Sequence, residues 1–194
     1  MDPPELDVLK ISQRFLVIAM QAVAAYEQAQ RQLDLAHVLD ADRLVSPEGI
    51  AQSRQTLEQL SALTAQHKEY FAKFITGSTE QLLAAVNELP EDRRQSITEG
   101  LMRSINYNLA EQSRFYAGRE RWVAAGLSIF NLAEEHAGQI WLEQGELVFG
   151  TTALLEAVQA LSEEMEQVHQ AEVALQAERQ AHIARAMARM SPKV

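Results

Sequence analysis

The sequence contains no cysteine, and it is poor in glycine, proline and aromatic residues. Without cysteine the chain has no thiolate nucleophile, no cysteine-ligated zinc site and no disulfide framework. Eight glycines and five prolines among 194 residues leave little material for the many turns of a β-rich protein. The abundant residues are instead Ala, Leu, Gln and Glu, which are all good helix formers. These features favour an all-α fold.

Basic residues are absent from one long part of the chain. The 49 residues from Trp122 to Gln170 contain no Lys or Arg but eight glutamates, so much of the net charge of −10 is local. A negative net charge disfavours nucleic acid and anionic membrane surfaces as partners, because both are bound through Lys and Arg. An acidic block attracts a basic protein partner and speeds the encounter. The alternative is a solvated acidic face, partly balanced by arginines of the stretch 93–121.

The longest strongly apolar run, Phe15–Tyr26, is interrupted only by Gln21. Twelve residues are fewer than the roughly 20 that span a bilayer, so the run predicts the most buried part of a first helix and no transmembrane segment. Acidic residues before the run argue against a secretory signal. The compartment stays open: the protein is cytoplasmic or, if a signal has been removed ahead of Met1, periplasmic.

Apolar residues recur at helical spacing along most of the chain, which predicts an antiparallel bundle of four to six long amphipathic helices in a single domain, 1–194. Prolines 3 and 4 open the first helix, whose pattern fades by Leu39, and residues 40–45 are expected to be a connection. Ser46-Pro47 begins a second helix. Gly77-Ser78 predicts a stop or kink before a shorter helix over 79–88. The stretch 91–136 is expected to form one helix or two in series.

The stretch Ile140–Phe149 differs from the rest. Its residues alternate around Gln144-Gly145, which predicts a small β-hairpin, with a helix end and loop as the alternative. Thr151 or its neighbours then cap a last helix that runs to about Met190. Its apolar residues are spaced 4-3-4-3 in a coiled-coil-like seam, which is expected to be core of the chain itself, although a homodimer stays open. The seam is Leu154, Val158, Leu161, Met165 and Val168.

Three groups of residues are candidate sites, and none has a specific motif. Acidic side chains for binding a partner are Glu134, Glu135, Glu143, Glu146, Glu163 and Glu164. A pocket for a small molecule would be lined by Tyr107, Phe115, Arg119 and Trp122, although Arg119 is expected rather to pack on the aromatic rings and pair with a glutamate. Glu166 and His169 have a spacing found in di-metal bundles, but such pairs arise easily by chance in an acidic helical chain.

No nucleophile lies beside a base in a recognisable catalytic motif, and no glycine-rich phosphate loop is present. We therefore expect neither an enzyme nor a cofactor. The leading hypothesis is a protein-binding helical bundle, such as an adaptor, an immunity-type inhibitor or an envelope scaffold, that engages a protein partner through residues 122–170. A small-molecule sensor or carrier and a bundle metalloprotein are the alternatives. No family resemblance is specific enough to carry over a residue role.

Overall fold

The computed structural model describes residues 3–190 of the chain, with side chains from 4 to 185. The predicted all-α class is confirmed: long helices are accompanied by one short helix, one 3-10 turn and a two-stranded antiparallel hairpin. The elements are α1 (Pro3–Arg31), a 3-10 turn (Leu35–His37), α2 (Ala41–Leu44), α3 (Pro47–Asn87), α4 (Glu91–Glu135), β1 (Ile140–Glu143), β2 (Glu146–Phe149) and α5 (Thr152–Met190).

Side-chain caps start two of the long helices where the sequence predicts them. The Ser46 hydroxyl accepts a hydrogen bond of 3.1 Å from the Gly49 amide at the start of α3. The Thr151 hydroxyl accepts one of 3.2 Å from the Leu154 amide at the start of α5. Each cap satisfies an amide that has no partner within the first helical turn. Such local bonds are the reason that these two boundaries could be read from the sequence.

Of the stop or kink predicted at Gly77-Ser78, the stop is wrong, and so is the separate helix over 79–88, because α3 continues through both residues to Asn87. A helical glycine costs only about 1 kcal/mol relative to alanine, and Ser78 is buried while its hydroxyl donates to the Ile75 carbonyl at 3.2 Å. The connection predicted over residues 40–45 contains the short helix α2. The first helix ends at Arg31, before the predicted fading near Leu39.

The stretch 91–136, predicted to form one helix or two in series, forms one helix, α4, of 45 residues. Its Gly126 allows α3 to come close, since a Cβ there would lie 2.8 Å from Leu57 Cδ1. Leu57 is fully buried, so it has little freedom to move aside. One of the interrupting glycines therefore marks close helix packing rather than a break.

The predicted hairpin is also confirmed. Its strands pair in register, with Ile140 opposite Phe149 and Glu143 opposite Glu146. The two-residue turn places Gln144 at φ 53° and Gly145 at φ 87°. Positive φ at both central positions is the conformation of a type I′ turn, which matches the twist of paired strands and favours glycine. Trp141 and Leu142 of β1 are exposed, whereas Ile140 is buried.

The chain folds into two compact units. The first contains the chain up to Leu33 together with Ala62–Ser113, and the second contains Asp34–Ser61 and the chain from Arg114 onward. Buried hydrophobic residues of the first unit are Phe15, Tyr26, Leu82, Val86 and Leu89. Buried residues of the second include Leu57, Leu60, Ile129, Phe130, Leu154, Val158, Met165 and Val168, so the last helix places its 4-3-4-3 seam mostly in the core. The hairpin lies in the second unit, with β1 against α2 and β2 against α5.

Candidate functional site

The acidic residues of the stretch 122–170 lie in three places of the second unit: the last turn of α4, the hairpin and the first half of α5. Two of them are neutralised within the chain. Glu134 accepts a hydrogen bond of 2.6 Å from Arg54 Nη2 on α3, and the same nitrogen bonds Asn131 at 2.7 Å. Glu164 accepts two bonds, of 3.0 and 2.9 Å, from Arg121 on α4. These two carboxylates therefore hold helices together.

The other four candidate carboxylates are exposed. Glu135, Glu143, Glu146 and Glu163 make no ion pair within the described part of the chain. The structure thus separates the six predicted partner-binding residues into two that serve internal packing and four that remain open to a partner. Only the two hairpin residues are brought into direct register with each other.

The hairpin combines those two carboxylates with an exposed aromatic ring. Directly opposed residues of a two-stranded sheet lie on the same face, and alternate pairs share that face. The pairs Trp141–Val148 and Glu143–Glu146 therefore occupy one face. Trp141 is 40% exposed, although tryptophan is usually well buried. Like charges directly opposite each other destabilise a hairpin, so this arrangement carries a local energetic cost.

The predicted pocket residues have different environments. Tyr107 belongs to the first unit, while Phe115, Arg119 and Trp122 belong to the second. Arg119 is 12% exposed, and its Nε lies 2.9 Å from Glu172 Oε1 on α5. Its guanidinium carbon lies 5.8 Å from the centre of the Phe115 ring. Arg119 thus packs on an aromatic ring and pairs with a glutamate, as the sequence predicts.

Glu172 is a residue that sequence reasoning did not include among the candidate sites. Burial raises its pKa, and the charges of Arg119 and His169 oppose that rise. The contact with Arg119 is an ion pair without a well-directed hydrogen bond, since neither Arg119 Nε nor Glu172 Oε1 has a hydrogen-bond partner. The sequence contains a signal for this contact: Glu172 lies four residues after Val168 and so continues the 4-3 spacing of the buried α5 seam. A carboxylate on an apolar seam needs a cation from a neighbouring helix.

Two cavities are lined by none of the four predicted pocket residues. One, of about 450 Å³, lies between α1 and α3 in the first unit and is lined by Ile18, Ala22, Tyr26, Leu63, His67 and Tyr70, among others. Inside it the Tyr26 ring lies 4.6 Å from the His67 ring. The other, of about 640 Å³, runs between α4 and α5 in the second unit, beside Gly118 and Glu172.

The weak metal candidates are both exposed, and Glu166 accepts a hydrogen bond of 2.8 Å from Gln170. Within residues 3–190 no three His, Asp or Glu side chains come together as a metal site would require. The described residues therefore give the di-metal hypothesis no geometric support.

Helix α1 is long and apolar enough to cross a membrane by length and composition. The chain segment Pro4–Arg31 has a mean hydropathy of 1.4 over its most apolar 18 residues, and 6% of that window is buried. The helix segment Pro4–Arg31 contains the run Phe15–Tyr26, which the sequence predicts to be the most buried part of the first helix. Both buried residues of the described part of α1, Phe15 and Tyr26, lie in this run, which is therefore the most buried part of the helix, although Val17 and Met20 within it are more than half exposed.

Comparison with known proteins gives no relative: no protein-family model, no curated protein and no solved structure matches this chain.

Proposed function

We propose that this chain is a non-enzymatic binding protein whose hairpin docks a basic segment of a protein partner. The observation that carries the proposal is the hairpin face on which exposed Trp141 lies beside the opposed pair Glu143 and Glu146. Aromatic residues are enriched in the centre of protein interfaces, and tryptophan is a frequent source of binding energy there. The proposed surface is this face, formed by residues 141, 143, 146 and 148.

The negative charge of the hairpin face favours a basic partner. No Lys or Arg occurs between Trp122 and Gln170, and the hairpin carboxylates form no ion pair within the described chain. A Lys or Arg placed between the two carboxylates would relieve their repulsion and gain two attractions at once. Glu135 and Glu163 of the same unit add to the negative potential that steers such a partner.

The test is affinity capture by the tagged full-length chain from extracts of its native cells, at low and at high salt. The variants are Glu143→Lys/Glu146→Lys and Trp141→Ala. We expect a salt-sensitive protein partner that the wild type retains and both variants lose. With the purified partner, the double charge reversal should slow association by about tenfold and flatten its dependence on salt.

A matched control is Glu80→Lys/Glu88→Lys, which changes the net charge equally on exposed positions of the first unit. It should capture the partner as the wild type does. Circular dichroism of each variant checks that the helices are intact. The proposal fails if every captured protein binds the hairpin variants as well as it binds the wild type, or if the control loses binding to the same degree.

A further inference from the structure

The register of the hairpin shows which of its backbone groups are paired. The Gly150 amide donates to the Gln139 carbonyl at 2.7 Å, so these two residues form a hydrogen-bonded pair at the base of the hairpin. In an antiparallel ladder, hydrogen-bonded pairs alternate with pairs that are not hydrogen-bonded. Trp141 with Val148 is therefore a hydrogen-bonded pair. The amide and carbonyl of Leu142, one residue further, consequently point away from β2 and toward the outer edge of β1.

That outer edge of β1 is open. Within residues 3–190 the backbone of Leu142 makes no hydrogen bond to any other segment. Trp141 is 40% and Leu142 39% exposed, and Glu143 is exposed as well, whereas three of the four residues of β2 are half-buried. Ile140 is buried, and β1 lies against α2. The open part of the edge is therefore the stretch 141–143.

An extended peptide is the occupant that such an edge fits. Outward-pointing amide and carbonyl groups of a strand are a template for one more strand. A helix could not use them, because its own amides and carbonyls already bond within the helix. An added strand would run antiparallel to β1, since antiparallel pairing is slightly the more stable per residue. Leu142 would then exchange two hydrogen bonds with a single residue of the partner.

Side-chain alternation and charge define the sequence of the added strand. Opposed residues of neighbouring strands lie on the same face of a sheet. The partner residue opposite Leu142 should be apolar, because Leu142 shares its face with buried Ile140. The residues before and after it lie beside Glu143 and Trp141. A Lys or Arg gains a charge pair with Glu143, which has no ion pair within the described chain, and a cation–π contact with Trp141.

We propose that the hairpin binds its partner by strand addition: a basic–apolar–basic segment becomes a third, antiparallel strand along the outer edge of β1. This inference rests on the proposed function and adds to it the conformation and the sequence pattern of the partner segment. A second copy of the chain fits the edge less well. It would bring more carboxylates to the Glu143 face, and the stretch 122–170 has no Lys or Arg to balance them.

The first test is a fluorescence-anisotropy titration of the full-length chain into a labelled, acetylated peptide, Lys-Val-Lys-Val-Lys-Val, at low salt. Two N-methylated forms of the peptide have equal charge and equal numbers of methyl groups. Methylation of the Val amides removes the donors that face β1, whereas methylation of the Lys amides removes donors that face solvent. We expect the Val-methylated peptide to bind about tenfold more weakly than the Lys-methylated one, because backbone hydrogen bonds to β1 are lost.

Variants of the chain test the same bonds from the other side. Leu142→Pro removes the outward amide, and proline is tolerated in an edge strand where the amide faces solvent. Leu142→Ala keeps the amide and measures the effect of the side chain alone. The matched control is Leu147→Pro, which removes the corresponding outward amide of β2. We expect Leu142→Pro to bind the unmethylated peptide about tenfold more weakly than Leu142→Ala, and Leu147→Pro to bind it as the wild type does.

The possible outcomes separate this inference from the proposed function. If the Lys-methylated peptide binds no better than the Val-methylated one, and Glu143→Lys/Glu146→Lys loses both, strand addition is overturned while the basic docking surface stands. If the unmethylated peptide does not bind, strand addition is likewise overturned, and capture of a partner that requires Trp141 still tests the proposed function. A loss in Leu147→Pro at least as large as in Leu142→Pro, or a dimer of the chain that Leu142→Pro dissociates, would also overturn it.

Discussion

Replacement of Arg119 by methionine leaves Glu172 on the inner face of α5 without its counter-charge. The two side chains are 12% and 13% exposed, and their charged atoms approach to 2.9 Å. Removing one partner of a fully buried ion pair costs roughly 3–5 kcal/mol. Because some solvent still reaches this pair, we expect Arg119→Met to lower the free energy of unfolding by about 2–4 kcal/mol at neutral pH.

The effect should depend on pH in a defined direction. Burial already raises the pKa of Glu172 above its ordinary 4.5, and the loss of Arg119 raises that pKa further. Above pH 4.5 the native state then binds more protons at this group than the unfolded chain does. The stability that protonation of Glu172 supplies is complete below pH 4.5 and falls as the pH rises through the native pKa. The Arg119→Met variant should therefore lose least at acid pH and most at neutral pH.

The assay is urea unfolding at pH 5 and pH 7, followed by tryptophan fluorescence, because both tryptophans lie in the second unit. A His169→Gln background removes the imidazole that also affects Glu172. The double variant Arg119→Met/Glu172→Met should return to within about 1 kcal/mol of its parent, since two apolar side chains replace a buried pair at little cost. The reasoning is refuted if the single variant is no less stable than the double one, or if its loss is the same at both pH values.

Three further changes test the local structure by thermal unfolding. Gly49→Ala should lower the free energy of unfolding by about 1–3 kcal/mol, because its Cβ would lie 2.4 Å from Arg43 Cα. The matched Gly77→Ala, where nothing lies within 4 Å of the added Cβ, should raise the free energy of unfolding by up to about 1 kcal/mol. Equal effects at the two sites would contradict this reasoning. Thr151→Ala should cost about 1 kcal/mol through loss of the α5 cap, whereas Thr151→Ser should be nearly neutral; equal losses would argue against the cap. Gly145→Ala should destabilise the hairpin by about 1–2 kcal/mol because its φ is 87°, and an unchanged Tm would exclude this strain.

Much of the fold could be predicted because its signals are local. A serine before a proline, a threonine three residues before Leu154 and glycine in a two-residue turn each act through bonds or torsions within a few residues. The same local reasoning failed at Gly77-Ser78. There, the small cost of one glycine does not interrupt a helix of 41 residues that is anchored on both sides of it, by buried Leu57 and Leu60 before and by Leu82 and Val86 after.

The candidate sites were harder to predict, because ion pairing depends on which helix faces meet. Glu134 and Glu135 are neighbours in sequence, yet only Glu134 is reached by Arg54, which is 80 residues away. Glu172 stood outside the candidate sites, although it pairs with the arginine that was singled out. Helix α1 shows a further limit, since the apolar run Phe15–Tyr26 contains both buried residues of the helix and also Val17 and Met20, which are more than half exposed.

The sequence by itself determined the helical class, the hairpin with its turn, and the concentration of negative charge between Trp122 and Gln170. Periodicity, capping and composition are properties of consecutive residues, and they do not require the chain to be folded. Only the tertiary structure decided which carboxylates are neutralised and which apolar residues of α1 are exposed. Those outcomes depend on contacts between residues far apart in the chain, and such contacts exist only once the helices have packed.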